Sequence, residues 1–62
     1  MRRLTSLKKE RQRRQLTQQK LAEISGVDRS TITRLERGAP AASPVTMSKL
    51  ARALEVKPSA LH

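Results

Sequence analysis

Residues 17–38 read TQQKLAEISGVDRSTITRLERG, and this stretch decides the fold. Apolar side chains recur in it at helical spacing, where residues three or four positions apart share one face. These positions are Leu21, Ala22, Ile24, Val27, Ile32 and Leu35. Gly26 permits the positive φ that ends a helix in a turn, and Asp28 offers a side-chain cap for a following helix. The stretch therefore predicts two short helices joined by a tight turn, a helix-turn-helix arrangement.

The same stretch resembles a known family. The residues that carry the resemblance are 16–22 (LTQQKLA), 25–27 (SGV) and 30–38 (STITRLERG). Together they are similar to the DNA-binding domain of phage-repressor and Cro-type (Xre-like) regulators, and as a set they are specific because small, glycine and apolar positions all fall in register. The strong match covers about a third of the chain, and a weaker one extends over nearly all of it. The resemblance implies an all-α fold, a compact four- to five-helix bundle of the lambda-repressor-like DNA-binding type.

Length and composition restrict the function further. A chain of 62 residues makes one domain at most, so we expect residues 1–62 to form a single DNA-binding domain with a small core. There is no cysteine, and the one histidine, His62, stands last, so no zinc site or disulfide is expected. The absence of Phe, Tyr and Trp argues against surfaces that stack single-stranded bases.

The charge balance favours a polyanionic partner. Lys and Arg number 14 against 5 Asp and Glu, which gives a formal net charge of +9. A basic excess can also be a merely solvated surface, but with the motif above it indicates nucleic acid. A basic first helix could instead lie on an anionic membrane, yet its apolar side holds only Leu4 and Leu7, too little to anchor it. No apolar run is long enough for a membrane span or signal peptide, so we expect a cytoplasmic protein, bacterial or phage-encoded and nucleoid-associated when bound.

The pattern predicts five helical segments, at about residues 5–15, 18–25, 29–37, 44–54 and 58–61. In the first, Arg11 continues the apolar stripe of Leu4 and Leu7, so this charge needs a partner. Glu36, beside Leu35, is the natural one, and the resemblance implies the same internal salt bridge. The alternative is that Arg11 lies on the surface and touches phosphate.

The third helix, 29–37, is expected to be the recognition helix. A major groove admits a helix whose early residues reach base edges. The resemblance places base contacts at Arg29, Ser30, Thr33 and Arg34. Arginine can bind guanine O6 and N7, although either arginine could bind phosphate instead. Expected phosphate contacts come from the start of the second helix and the end of the third, namely Thr17, Gln18, Gln19 and Arg37.

The C-terminal third of the chain is expected to complete the core. Ser43 and Pro44 suit the cap and first position of a fourth helix, whose apolar stripe includes Met47 and Leu50. The preceding loop, residues 39–44, lacks the basic residues that family members often carry there. Lys57 is a poor cap, so the last turn is expected to fray.

The leading functional prediction is a sequence-specific binder of double-stranded DNA, a transcriptional regulator and repressor. A single helix-turn-helix reads only a few base pairs, so we expect a homodimer on a palindromic operator, with subunit contacts in residues 55–62. The alternative is a protein-interaction module, such as an antitoxin or adaptor, with the same fold. The sequence holds no nucleophile–base pair, no phosphate-cradling glycine loop and no clustered carboxylates, so neither an enzyme nor a cofactor or small-molecule site is expected.

Overall fold

The computed structural model describes residues 4–40 and 43–61, and everything said of the structure concerns these residues. The helices are α1 (Leu7–Arg13), α2 (Gln18–Ser25), α3 (Arg29–Glu36) and α4 (Pro44–Leu54), followed by a 3₁₀ turn, Pro58–Leu61. The expected all-α fold is confirmed. Helix α2 packs against both α3 and α4, α1 packs against α3, and the 3₁₀ turn packs against α4.

The predicted bounds of the first helix, 5–15, were too wide. Thr5 and Ser6 form a turn rather than helix, and α1 begins at Leu7. At the other end Gln15 adopts a left-handed φ of 56°, which no α-helix continues through. The Leu16 amide then bonds back to the Arg11 carbonyl at 3.1 Å, so the chain turns sharply into α2.

A residue with a positive φ also follows the end of α3 and of α4. Gly38 has a φ of 99°, and the Ala39 amide reaches back to the Arg34 carbonyl at 3.0 Å. Helix α3 therefore ends at Glu36, one residue earlier than predicted, with Arg37 as its C-cap. In α4 a non-glycine residue, Glu55, takes the left-handed position with a φ of 58°.

One apolar cluster fills the interior. Its fully buried large side chains come from every helix, from the C-terminal turn and from the segment before α1: Leu4, Leu7, Leu21, Ile32, Leu50, Leu54 and Leu61. Ile24, expected in the apolar set, is instead 47 % exposed, and Leu21 is the buried residue of α2. Leu61 is completely buried, and its carbonyl accepts the Ser6 amide at 3.0 Å, so the last turn is docked rather than frayed.

Candidate nucleic-acid interface

The turn between α2 and α3 has the local chemistry that the sequence predicts. Thr17 caps α2, since its hydroxyl oxygen accepts the Lys20 amide at 3.0 Å. Gly26 ends α2 with a φ of 76°, and its amide bonds to the Ala22 carbonyl at 2.9 Å. The expected side-chain cap from Asp28 is absent: its exposed carboxylate makes no cap hydrogen bond, so it favours α3 only through the helix dipole.

Helix α3 presents a polar edge to solvent. Ile32 and Leu35 are buried on its inner side. Arg29, Ser30 and Arg34, three of the four predicted base-contacting residues, are exposed on its outer side. Across residues 4–40 and 43–61, no hydrogen bond or ion pair holds the side chains of Arg29 and Arg34, which leaves both guanidinium groups available to a ligand.

An ion pair fixes the C-terminal end of α3 to α1. Arg11 Nε donates to Glu36 Oε2 at 2.7 Å and Nη2 to Oε1 at 3.0 Å, so the pair is bidentate. The Arg11 side chain is 11 % exposed and that of Glu36 is 4 % exposed. The remaining guanidinium nitrogen of Arg11 donates to the Leu16 carbonyl at 2.7 Å, just before α2. One side chain thus connects α1, the start of α2 and the end of α3, and it lies inside the protein rather than on a surface that touches phosphate.

The charge state of Glu36 follows from its surroundings. Burial raises the pKa of this carboxyl, but the hydrogen bonds from Arg11 and Gln18 and the positive charge of Arg11 outweigh burial. The pKa of Glu36 is therefore lower than its ordinary value. The hydrogen bond to Glu36 likewise raises the pKa of Arg11 against the opposing effect of desolvation. Both groups are charged at neutral pH.

Gln18 extends this ion pair to the polar edge of α3. Its Nε2 donates to Glu36 Oε1 at 3.0 Å, and its Oε1 accepts the Thr33 hydroxyl at 2.9 Å. The sequence predicts that Gln18 contacts phosphate and that Thr33 contacts a base. In the structure the two side chains are hydrogen-bonded to each other. No local sequence pattern indicates this link, because the two residues are 15 positions apart.

The other predicted phosphate contacts lie at the surface. Gln19 is exposed at the start of α2, with a long 3.4 Å bond to Glu23 Oε2. Arg37 is exposed at the end of α3. Their contacts with phosphate remain predictions.

Sequence reasoning missed one buried charge, Glu10. This residue is 8 % exposed on α1 and pairs with Arg14 at 2.9 Å and with Arg13 at 3.5 Å. The spacings i,i+3 and i,i+4 on a helix could have indicated both pairs. They involve only α1 and have a structural role.

The bundle, the tight turn at Gly26 and the exposed polar edge of α3 define a helix-turn-helix domain. The chain belongs to the Xre/Cro-like helix-turn-helix family, whose family model matches residues 7–61. Among solved structures it is similar to the restriction-modification controller protein C.AhdI from Aeromonas hydrophila, with 40 % sequence identity and a TM-score of 0.86 over 94 % of this chain and 88 % of that one. A search of curated protein sequences finds no match.

These comparisons identify the class of function. The chain is a sequence-specific DNA-binding transcriptional regulator with a lambda-repressor-like fold. Domains of this family bind DNA and are not typically catalytic. Within the part of the chain that the structure describes, no helix is long and apolar enough to cross a membrane.

Proposed function

We propose that α3 enters the major groove of double-stranded DNA and reads bases with Arg29, Ser30, Thr33 and Arg34. The observation that supports this most is the free, exposed edge of α3, where two arginines have no partner among the described residues. A buried ion pair at the end of α3 holds that edge in place. Because the helix that carries these side chains is already held in place, only the side chains themselves must become ordered on binding, which suits base readout.

Phosphate contacts on both sides of α3 would set its depth and register. We assign them to the start of α2, with Thr17, Gln18 and Gln19, and to Arg37 at the end of α3. A net charge of +9 would draw the domain to any duplex, and this attraction would weaken steeply as salt rises. Phosphate contacts position the protein, whereas contacts with base edges specify the sequence.

We propose that the chain acts as a homodimer and a repressor on a palindromic operator. One domain reads too few base pairs to select a site in a genome, and half-sites about one helical turn apart, ~34 Å, would let two copies bind one face. Residues 55–62 remain our proposed contact region. Because Leu61 is buried within its own subunit, this region offers little apolar surface, so we expect weak dimerisation without DNA.

The likeness to a restriction-modification controller supports a more specific role. The two proteins are 40 % identical over nearly the whole of this chain. We therefore propose that this protein controls transcription of restriction-modification genes. Such a regulator would act in the cytoplasm of a bacterium, on the nucleoid when bound.

Selection of duplexes from a random library tests the binding function. We expect a two-fold symmetric site and an affinity that falls steeply between low and high salt. Arg52→Ala, which removes an exposed charge from α4 rather than α3, serves as a charge-matched control for substitutions of Arg29 and Arg34. Salt-insensitive association with DNA would reject the proposed phosphate contacts, and the absence of an enriched sequence would reject direct base readout by α3.

One observation favours a second candidate function, an interaction module. Ile24 and Val45, 47 % and 63 % exposed, line one groove of about 540 Å³ between α2 and α4. Lys49 and Arg52 also line it, and its lining includes no acidic residue among those described. This chemistry fits an acidic, apolar segment of a partner protein. We expect Lys49→Glu combined with Arg52→Glu to abolish that association and to leave the selected DNA sequence unchanged.

A further inference from the structure

We infer that Gln18 decides what Thr33 can recognise: Thr33 meets DNA as a hydrogen-bond acceptor and a methyl group, and therefore favours an A·T pair. This inference rests on the proposed entry of α3 into the major groove and specifies the chemistry of one of its contacts. Gln18 acts as a positioning residue, through hydrogen bonds within the protein.

Glu36 carries a negative charge beside Arg11. Two guanidinium nitrogens of Arg11 lie 2.7 and 3.0 Å from its two oxygens. A carboxylate paired in this way is ionised and accepts hydrogen bonds without donating any. Its neighbour Gln18 must therefore turn its NH₂ group toward Glu36, as the 3.0 Å contact from Nε2 to Oε1 requires.

The Gln18 amide has one favoured orientation between Glu36 and Thr33. The reverse orientation would place a carbonyl oxygen against an anionic carboxylate that is 4 % exposed, a repulsive contact in a poorly solvated site. With the NH₂ group held by Glu36, the amide oxygen faces Thr33 at 2.9 Å. An amide oxygen accepts but cannot donate, so the Thr33 hydroxyl must donate to it.

Thr33 keeps only part of its hydrogen-bonding capacity for DNA. A hydroxyl has one hydrogen, and in Thr33 that hydrogen is directed into the protein. Thr33 is only half-buried, so the lone pairs of its hydroxyl oxygen and its methyl group are what it can offer to a ligand. Gln18 keeps a second amide hydrogen, which can still donate to a phosphate oxygen.

Base pairs differ in the hydrogen-bond donors and acceptors that they present in the major groove, and Thr33 can only accept. Guanine presents only acceptors there, N7 and O6, and phosphate oxygens are acceptors too, so Thr33 can bond with neither. An A·T pair presents the adenine amino group, which can donate to Thr33, and the thymine methyl group, which can pack against the threonine methyl. A G·C pair also offers one amino group, that of cytosine, and both pairs present two acceptors that Thr33 cannot satisfy. Thr33 can therefore bond with adenine or cytosine but not with guanine, and the contact between the two methyl groups makes A·T the preferred pair.

The test combines duplex selection with three variants. Thr33→Ser keeps the hydroxyl and removes the methyl, so the base pair whose preference it changes is the one facing Thr33. Gln18→Met removes the acceptor and releases the hydroxyl, and we expect it to raise tolerance of G·C at that same pair by about fivefold or more. Gln19→Met is the matched control on the same turn of α2: it should lower affinity at most, without changing any base preference.

Binding to a duplex that contains a base analogue tests the same contact without changing Gln18. This measurement therefore tests the inference even if Gln18→Met folds poorly. Uracil in place of thymine at that pair removes only the methyl group, and we expect it to weaken the wild type several-fold but not Thr33→Ser. Two outcomes would overturn this inference and leave the proposed function standing. One is a wild-type preference for G·C at that pair. The other is that Gln18→Met changes base preference no more than Gln19→Met does, and that uracil binds the wild type as well as thymine does. Failure of the wild type to bind any duplex would instead overturn the proposed function, and this inference with it.

Discussion

Arg11 and Glu36 are 25 residues apart in sequence, yet they form a bidentate ion pair that is almost fully buried. The pair joins the first helix to the last residue of α3, and Gln18 continues it to the outer side of that helix. Because a buried charge is costly when it loses its partner, each end of the pair holds the other in place. The orientation of the polar edge of α3 thus depends on a residue of α1 that need not touch DNA.

Removing Arg11 should therefore destabilise the whole domain. Arg11→Ala leaves Glu36 buried and unpaired, and we expect a loss of about 3 kcal/mol in the free energy of unfolding. For a domain of this size that lowers the melting temperature by roughly 10 °C or more, which thermal unfolding followed by circular dichroism measures.

The control for this prediction is Arg13→Ala. Arg13 has the same charge and helix, but its side chain is 64 % exposed and its contact with Glu10 is 3.5 Å long. We expect a change within about 0.5 kcal/mol. Equal melting temperatures for Arg11→Ala and Arg13→Ala would show that the buried pair contributes nothing. A double replacement of Arg11 and Glu36 by Met should recover part of the loss, because it removes both charges.

The ion pair also makes stability depend on pH. The folded pKa of Glu36 is lower than its unfolded value, because its hydrogen bonds and the charge of Arg11 outweigh its burial. The folded state therefore binds this proton less readily than the unfolded chain does. The stabilisation is fully present above the unfolded pKa, roughly 4.3, and is lost as the pH falls through the folded pKa.

Urea unfolding between pH 7 and pH 2 measures this effect. We expect the wild type to be more stable than Glu36→Gln at pH 7 and the difference to shrink as the pH falls below about 4. Comparing the two proteins cancels the general repulsion that a chain of net charge +9 develops in acid. A difference that stays constant down to pH 2 would mean that Glu36 titrates with its ordinary pKa.

The sequence was sufficient for the features that depend on local chemistry. Thr17, Gly26 and Ser43 act at helix ends through their own backbone or hydroxyl groups, so residue type and position predicted them. The Arg11–Glu36 contact was also expected, because a charge on an apolar stripe requires a partner. Spacing alone could not predict the end of α1, since Gln15 takes a left-handed conformation that its side chain does not favour.

The bond between Gln18 and Thr33 could not be predicted from the sequence. Each residue has several possible partners, and the choice depends on where the tertiary fold places Glu36. The docking of the last turn has the same origin. Lys57 is a poor cap, yet burial of Leu61 and the bond from the Ser6 amide to its carbonyl outweigh that local weakness.

The buried C-terminal leucine is therefore expected to matter for stability. Leu61→Ala removes a completely buried side chain from a small core, and we expect a cost of about 2–4 kcal/mol. Chemical denaturation measures this loss. Ala60→Ser, one residue earlier and exposed, is the control and should change stability by less than about 0.5 kcal/mol. If both variants unfold like the wild type, the last turn contributes no core packing.

Arg34 and Arg37 should separate base readout from phosphate binding. Arg34 is exposed on the outer side of α3 and Arg37 caps the end of that helix, so each substitution by alanine removes one positive charge from the same region. We expect Arg34→Ala to cost about 1–3 kcal/mol on the selected site and to relax the preference at one base pair. Arg37→Ala should weaken binding equally on all sequences and reduce the salt slope by about one.

Titrations on selected and scrambled duplexes at several salt concentrations distinguish the two patterns. If Arg34→Ala gives the pattern expected for Arg37→Ala, then Arg34 binds phosphate, and base readout must come from Arg29, Ser30 and Thr33.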